Sequence, residues 1–189
     1  MLSPAIQKDN SGNYIFINGP VIGYAAEKDT TAVNALMNDS IAHTIFGTYI
    51  KFLWTSKPLN ASMGIFQLIA VRVDRNGQAT LFGNIIQDAT KIFSSSEGGP
   101  PQISLTMTKE AGFIWRRMTR ENVGKSIAIV SENHVLSYPT VMGEIEGGKS
   151  SISGNFTLEE ADDLINILKS GDLPVSMHII KEEKIQPSK

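Results

Sequence analysis

The spacing most suggestive of chemistry lies in the segment "GEIEGGKS". Gly143 is followed after four residues by Gly148, Lys149 and Ser150, which is the spacing of a phosphate-binding loop. Such a loop holds phosphate only where it leads into a helix whose first backbone amides face the anion. The residues that follow, "SISGNF", alternate in polarity and contain a glycine, which is typical of a strand. We therefore expect a glycine hairpin with an exposed lysine here and no nucleotide site.

The other titratable side chains do not converge in the sequence. His43, His134 and His178 lie in different predicted elements without the spacing of metal ligands, so we expect surface or hairpin histidines. The acidic residues within 159–163 fall in the first two turns of a predicted helix, where the helix dipole favours negative charge. No serine stands in a G-x-S-x-G motif, and the absence of cysteine excludes disulfides and thiolate sites. We predict no enzyme activity, no metal and no cofactor.

The overall charge argues against nucleic acid as a partner. Seventeen basic residues stand against 19 acidic ones, for a net charge of -2, whereas affinity for nucleic acid rests on neutralising phosphates. Arg116, Arg117 and Arg120 form a small basic cluster that we interpret as a solvated helix face. No run reaches the roughly 18 to 20 apolar residues of a membrane helix, and the first residues lack the pattern of a signal peptide. Taken alone, the sequence predicts a soluble chain.

Strands dominate the predicted first half of the chain. Residues 14–25 are β-branched and aromatic but are broken by a Gly-Pro pair, which predicts one broken strand or two short ones. Asp29 and Thr30 are expected to cap a helix that runs to about Asn38. The predicted buried face of this helix is Val33, Leu36 and Met37. The other elements predicted here are strands at 49–54 and 65–73, a tight turn at Asn76–Gly77 and a return strand at 79–82.

The second half mixes helices with strands. Residues 84–93 are predicted to form a weak helix, and a loop rich in serine, glycine and proline follows at 94–101. A helix at 109–122 is expected to be capped by Thr108 and ended by Gly124. Its apolar stripe is Ala111, Ile114, Trp115 and Met118. Strands are predicted at 102–107, 126–130, 135–139, 141–145 and 150–153, with a turn at Glu132–His134.

The last helix carries the clearest signals. Thr157 and Glu160 form a capping box, in which each side chain accepts a hydrogen bond from the backbone amide of the other residue. Gly171 and Pro174 are expected to end the helix, and a strand is expected at 176–185. The predicted buried stripe is Leu158, Ala161, Leu164, Ile165 and Leu168. Because the helices and strands do not repeat regularly, we predict an α+β fold with helices packed on mostly antiparallel sheets.

From residue 103 onward the sequence resembles the SecD family of bacterial protein-export subunits. The resemblance lies in "ISLTMTKEAGFIWRRMTRENVGKSIAIV", "VLSYPTVMGEIEGGKSSISGNFTLEEADDLINILKSGDLP" and "IIKEEKIQPS". The family pattern has a helix ending in N-x-G-K, a hairpin into V-x-S-x-P, a glycine pair, I-x-G-x-F-[ST]-x-E-E-A and a helix ending in G-x-L-P. The matching residues are Asn122, Gly124, Lys125, Val135, Ser137, Pro139, Gly147, Gly148, Ile152, Gly154, Phe156, Thr157, Glu159, Glu160, Ala161, Gly171, Leu173 and Pro174. Residues 24–73 resemble the fused SecDF form more weakly.

The resemblance implies a periplasmic domain in two parts. It implies a ferredoxin-like base that begins within residues 1–83, an inserted α+β head at 84–155, and a helix and strand at 156–189 that return to the base. The parent protein would work at the periplasmic face of the inner membrane with SecF beside the SecY channel, assisting proton-gradient-driven translocation. This domain would bind the emerging unfolded preprotein, and membrane contact would come only through helices of the parent protein.

Three departures from the family pattern shape the remaining expectations. The hairpin that normally reads D-G is filled by Asn133–His134, the early glycine motif is absent, and the chain stops at Lys189 before the family's second membrane helix. The two truncations lead us to expect an excised soluble fragment. The glycines and prolines near 98–101, 139 and 147–148 are interpreted as turns, with hinges as the alternative. Two other functions remain open, a stand-alone binding or assembly module of the envelope and an NTPase acting through Lys149.

Overall fold

The computed structural model describes residues 1–60, 62–81, 85–93, 99–154 and 156–170. The strands are β1 (Ser3–Pro4), β2 (Ile6–Lys8), β3 (Tyr14–Phe16), β4 (Val21–Ala26), β5 (Ile50–Thr55), β6 (Ile65–Arg72), β7 (Ile86–Ile92), β8 (Gln102–Met107), β9 (Ile129–Ser131), β10 (His134–Ser137) and β11 (Lys149–Ile152). The helices are α1 (Glu27–Met37), α2 (Ser40–Phe46), α3 (Lys109–Glu121) and α4 (Leu158–Ser170). The predicted mixture of helices with mostly antiparallel sheets is confirmed. Within these residues no helix combines the length and apolar character needed to cross a bilayer.

The largest sheet has six strands in the order β1-β4-β6-β5-β10-β9. Its neighbouring strands are antiparallel except for β5 and β10, which run parallel. Helix α1 packs on one face of this sheet, because Val33 of the helix meets Trp54 and Leu68 of the sheet in one buried cluster. Strands β2 and β3 form a separate two-stranded hairpin, whereas β4 belongs to the six-stranded sheet. Residues 14–25, predicted as one broken strand or two short ones, therefore contain two strands, β3 and the start of β4.

The smaller sheet has the order β11-β8-β7 and carries α4 on one face. The buried cluster between them is Ala89, Ile103, Leu105, Ile152, Ala161, Leu164 and Ile165. Each large apolar side chain buried there stabilises the fold by about 1.5 to 3 kcal/mol. Ile129 and Leu136 of the β9–β10 hairpin also pack against this cluster. The hairpin therefore belongs to the larger sheet through its backbone and to the smaller core through its side chains.

Helices α3 and α4 form largely as predicted. The Thr108 hydroxyl accepts a hydrogen bond from the Ala111 amide at 3.2 Å, which confirms the predicted cap of α3. The capping box of α4 is also present, as described below, and three of its predicted buried residues lie in the smaller core. Leu158 is the exception, since its side chain is 56% exposed at the first helical position. The predicted end of α4 at Gly171 and Pro174, and the strand at 176–185, lie outside the described residues.

Helix α1 begins earlier than predicted. It starts at Glu27, and its N-cap residue makes no side-chain capping bond, so the predicted caps are wrong. Asp29 instead pairs with the terminal amino group, and the Thr30 hydroxyl donates to the carbonyl of Glu27 at 2.7 Å. Val33 is buried as predicted, whereas Leu36 is 70% exposed. The apolar face of α1 is therefore narrower than its sequence suggests.

The predicted weak helix at 84–93 is wrong, because these residues contain strand β7. This strand pairs antiparallel with β8 from Ile86 to Ile92. Pairing with a strong neighbouring strand overrides a weak local preference, and it places Ala89 in the core with exposed residues on either side. The return strand expected at 79–82 is absent from its described part, residues 79–81. The turn before it is confirmed, since Gly77 has a φ of 72°.

Two further corrections concern loops around the second hairpin. The strand predicted at 141–145 does not form, because Val141 instead exchanges backbone hydrogen bonds with the chain that follows α3. The left-handed residues of the hairpin turn are Glu132 and Asn133, with φ of 48° and 61°. The turn pair is therefore Glu132–Asn133, one residue earlier than the expected Asn133–His134. Positive φ at both central residues is what a tight two-residue hairpin requires.

Candidate functional site

The glycine pair at 147–148 forms a turn that touches helix α3. Gly147 and Gly148 have φ of 73° and 69°, a conformation that side-chain-bearing residues rarely adopt. The carbonyl of Gly148 accepts a hydrogen bond from the Met107 amide at 2.8 Å, which ties the turn to strand β8. A Cβ atom built on Gly112 of α3 would lie 3.1 Å from the Gly148 Cα atom. The pair is therefore a packing contact for α3, in agreement with its interpretation as a turn.

The residues that match N-x-G-K close the end of α3. The Asn122 side-chain amide donates to the carbonyl of Met118 at 2.8 Å. Gly124, in left-handed conformation, and Lys125 exchange backbone hydrogen bonds with Val141. In the same stretch the carbonyl of Pro139 accepts from the Ile127 amide at 3.1 Å. The backbone bonds at these motif positions connect the end of α3 to the chain after β10.

The motif residues before α4 fix the start of that helix. A Cβ atom on Gly154 would lie 2.8 Å from the ring of Phe156, and this ring packs against the smaller core. The Thr157 amide donates to the Glu160 carboxylate at 3.0 Å, and the Glu160 amide donates to the Thr157 hydroxyl at 3.1 Å. The bond from the Thr157 amide holds the pKa of Glu160 below its ordinary value. Glu159 is exposed in the same turn.

The phosphate-loop spacing does not produce a phosphate site. Lys149–Ile152 is strand β11, which pairs antiparallel with β8, so the glycines do not lead into a helix.

The predicted basic cluster on α3 is partly neutralised. Arg116 pairs with Glu144, and its terminal guanidinium nitrogen lies 2.6 Å from Glu146. The bond from Arg116 lowers the pKa of Glu144, and the two pairs fasten the loop before the glycine turn to α3.

A surface groove lies between α1, α2 and the six-stranded sheet. Its volume is about 460 Å³, which falls within the range of ordinary ligand pockets. Met37, Phe46, Phe52 and Trp54 supply its apolar lining, and the rings of Phe46 and Phe52 meet edge to face at 5.0 Å. The residues that line the groove, drawn from α1, α2, β5 and the start of β10, include no acidic side chain.

Polar groups stand at the rim of the groove. The indole nitrogen of Trp54 donates to the side-chain oxygen of Asn34 at 2.7 Å, which joins α1 to β5. His43 of α2 and His134 of β10 both line the groove, although the sequence placed them in unrelated elements. The ring nitrogen Nδ1 of His134 lies 2.9 Å from the carbonyl of Glu132. Among the described residues, no cluster of acidic or histidine side chains is suited to hold a metal ion.

Helix α2, which forms one wall of this groove, is missed by the sequence analysis. Its seven residues start after Asp39, whose carboxylate accepts a hydrogen bond from the Ile41 amide at 2.9 Å. That capping residue is the one signal in the sequence that marks the helix. None of its residues is buried, and Ile41, Ile45 and Phe46 are exposed. The region around the groove therefore presents apolar side chains to the outside.

Most of the chain matches one described family. Residues 65–175 match the family described as SecDF, P1 head subdomain. Protein translocase subunit SecD of Rhodothermus marinus is 39% identical over 173 residues, which make up 90% of this chain and 27% of that protein. Protein translocase subunit SecDF of Thermus thermophilus is 36% identical over 112 residues, 59% of this chain and 15% of that protein. The chain thus spans about a quarter of the length of the SecD relative.

Solved structures of the same family resemble the chain less closely. A structure of SecDF, described as a membrane component that enhances protein export, is 24% identical with a TM-score of 0.48. That similarity covers 96% of this chain and 84% of the solved chain. A crystal structure of SecDF in a super-membrane-facing form is 21% identical with a TM-score of 0.44, over 80% of this chain and 28% of the solved chain.

Proposed function

Since the chain belongs to the SecD/SecDF family of protein translocase subunits, we propose that it assists protein export by binding the unfolded chain that is being translocated. The family match covers more than half of the sequence. By extension from that family, the domain stands at the periplasmic face of the inner membrane, and the parent protein works beside the SecY channel with SecF. The division into a ferredoxin-like base and a head at 84–155 belongs to the same proposal, as does drive by the proton gradient.

The groove bounded by α1, α2 and β5 is the observation that carries this proposal. An unfolded polypeptide offers scattered apolar side chains and free backbone groups, and it lacks a fixed shape for a deep, specific pocket. A shallow groove with an aromatic lining and a polar rim suits such a ligand. Exposed apolar residues next to the groove, including Ile41 and Ile45 of α2, add further surface that an unfolded chain can contact.

A charge placed inside the groove tests this proposal. Ala42 lines the groove from α2, whereas Thr44 of the same helix does not. In Ala42→Asp, a bound apolar segment would have to remove a carboxylate from water, which is unfavourable. We expect Ala42→Asp to weaken binding of a fluorescently labelled, permanently unfolded polypeptide at least about tenfold, the equivalent of about 1.4 kcal/mol.

Thr44→Asp is the matched control, because it adds the same charge to the same exposed helix outside the groove. We expect its affinity to stay within about twofold of the parent chain, since surface charges at a distance are screened. Far-ultraviolet circular dichroism of both variants shows whether each is folded. Binding that is equal in the parent and in Ala42→Asp would place the ligand elsewhere, and absence of binding to the parent chain would overturn the proposal.

A further inference from the structure

The groove runs along the backbone edge of strand β5. Five consecutive residues of this strand, Ile50–Trp54, line it. Neighbouring side chains on a strand point to opposite faces of the sheet, so a groove that touches all five residues reaches the strand's edge. Strand β10 covers this edge only at its far end, where His134 pairs with Trp54 and Val135 pairs with Thr55. The edge beside Ile50–Leu53 is thus left without a neighbouring strand among the described residues.

The direction of the backbone groups of β5 follows from two hydrogen bonds at its ends. The carbonyl of Tyr49 accepts from the Val73 amide at 2.8 Å, so residue 49 faces the extension of β6. The Ser56 amide donates to the carbonyl of Val135 at 2.9 Å, so residue 56 faces β10. Backbone groups of successive strand residues alternate between the two edges. Ile50 and Phe52 therefore direct their N–H and C=O groups to the open side. Lys51 and Leu53 direct theirs to β6.

The groove beside this edge has a volume of about 460 Å³. Ile50 and Phe52 are half-buried, so solvent still reaches them. The ring of Phe46 in helix α2 borders the edge on one side. The turn at Asn133 borders the end of the edge where β10 begins. A strand of four residues spans about 13 Å at 3.3 Å per residue. An added segment would continue the row that β10 already occupies beside β5.

We propose that an extended segment of unfolded polypeptide binds as an added strand at the Ile50–Leu53 edge of β5. This proposal rests on the proposed function and specifies how the groove holds its ligand. Two residues of β5 supply paired backbone donors and acceptors, which any polypeptide can satisfy whatever its sequence. Alternate side chains of the added segment enter the apolar lining at Met37 and Phe46 and the others face away. Recognition through the main chain explains how one site serves many sequences.

Two synthetic peptides distinguish this mode from simple apolar contact. The first is an eight-residue peptide of alternating valine and threonine with blocked ends. The second has the same side chains but carries N-methyl groups on alternate backbone nitrogens, which removes donors on one edge; both possible phases of methylation are made. Binding to the 189-residue chain is measured by calorimetry. We expect at least one methylated phase to bind about tenfold or more weakly, because it can no longer donate backbone hydrogen bonds to β5.

Residue-resolved amide exchange supplies an internal control within β5. We expect the peptide to slow exchange at Ile50 and Phe52, whereas Lys51 and Leu53, whose amides face β6, should change little. If the unmodified peptide binds in the groove and both methylated phases bind equally well without protection at Ile50 and Phe52, strand addition is refuted while the proposed function stands. If neither peptide nor an unfolded polypeptide binds, both proposals fail.

Other occupants of the edge would give a different pattern in the same exchange experiment. Protection of Ile50 and Phe52 without peptide that rises with protein concentration would show that a second copy of the chain covers the edge. Protection without peptide that disappears when residues 171–189 are removed would show that the chain's own last residues cover it. Either result overturns the proposal, since the edge would already be filled.

Discussion

Replacing Gly112 by alanine tests the contact between α3 and the Gly147–Gly148 turn. In an exposed helix interior, alanine is more favourable than glycine by about 1 kcal/mol, so an ordinary helix would gain stability. Gly112 is buried, however, and its added Cβ atom would lie 3.1 Å from the Cα atom and 3.3 Å from the nitrogen of Gly148. Both neighbours are backbone atoms, which cannot rotate away as the tip of a side chain can.

The expected sign follows from comparing the two contributions. Inserting a methyl group into a filled contact costs about 1 to 3 kcal/mol, which exceeds the gain in helix propensity of about 1 kcal/mol. We expect Gly112→Ala to lower the free energy of unfolding by about 1 kcal/mol. For a chain of this size, that change lowers the melting temperature by roughly 2 to 4 °C. Urea unfolding followed by circular dichroism measures the free energy, and thermal unfolding followed by the same signal measures the melting temperature.

Gly143→Ala is the matched control for this experiment. Apart from its own neighbours in the chain, no atom of the described residues lies within 4 Å of the Cβ position at Gly143, and its φ is not in the left-handed range. We therefore expect this variant to unfold at the same or a slightly higher urea concentration than the parent chain. An increase in stability for Gly112→Ala would refute the close approach of α3 to the turn, because helix propensity would then act unopposed.

Three further predictions concern single side chains. Thr119→Val should destabilise the chain by about 1 to 3 kcal/mol in urea unfolding, because the fully buried Thr119 hydroxyl accepts a hydrogen bond from the Ile145 amide at 3.0 Å; equal stability would contradict the need for this bond. The lowered pKa of Glu160 means that its capping bond to Thr157 stabilises the fold above pH 4.5, its ordinary value, and is lost as the pH falls through the folded-state pKa. The stability difference between the parent and Glu160→Gln should therefore shrink below that pH in a series of unfolding curves, and a constant difference would be evidence against it. Leu164→Ala should cost about 2 to 5 kcal/mol, since Leu164 lies in the smaller core; a loss under about 1 kcal/mol would show that the cavity collapses.

Local chemistry accounts for the elements that could be predicted from the sequence. Helix α4 carries a capping box and an apolar stripe, and α3 has a threonine cap with a glycine after its end. Each signal lies within the element that it defines, so it survives without knowledge of neighbouring strands. Strand β7 shows the opposite case. Its apolar residues Ile86, Ala89 and Ile92 lie three apart, which fits a helix. Pairing with β8 overrides this local pattern.

The groove could not be predicted, because no single segment encodes it. Helix α2 has only seven residues and no buried side chain, so its sequence shows no periodic apolar face. Among the described residues, how much of the β5 edge is left uncovered depends on where β10 begins, and that point is set by pairing between Trp54 and His134. Sequence patterns correctly indicated that β5 is a strand, but they carry no information about how much of each edge is covered.

The parallel pairing of β5 with β10 also bears on how the chain folds. Trp54 and His134 lie 80 residues apart, and contacts between such distant residues slow folding because a long loop must close first. Strands β4, β5 and β6 come from one stretch, and β9 and β10 form a local hairpin that closes within about 1 to 10 μs in isolated peptides. We therefore expect the hairpin to dock after strands β4, β5 and β6 have paired. Until it does, the outer edge of β5 is open along its full length, and a folding chain at high concentration is most prone to mispairing there.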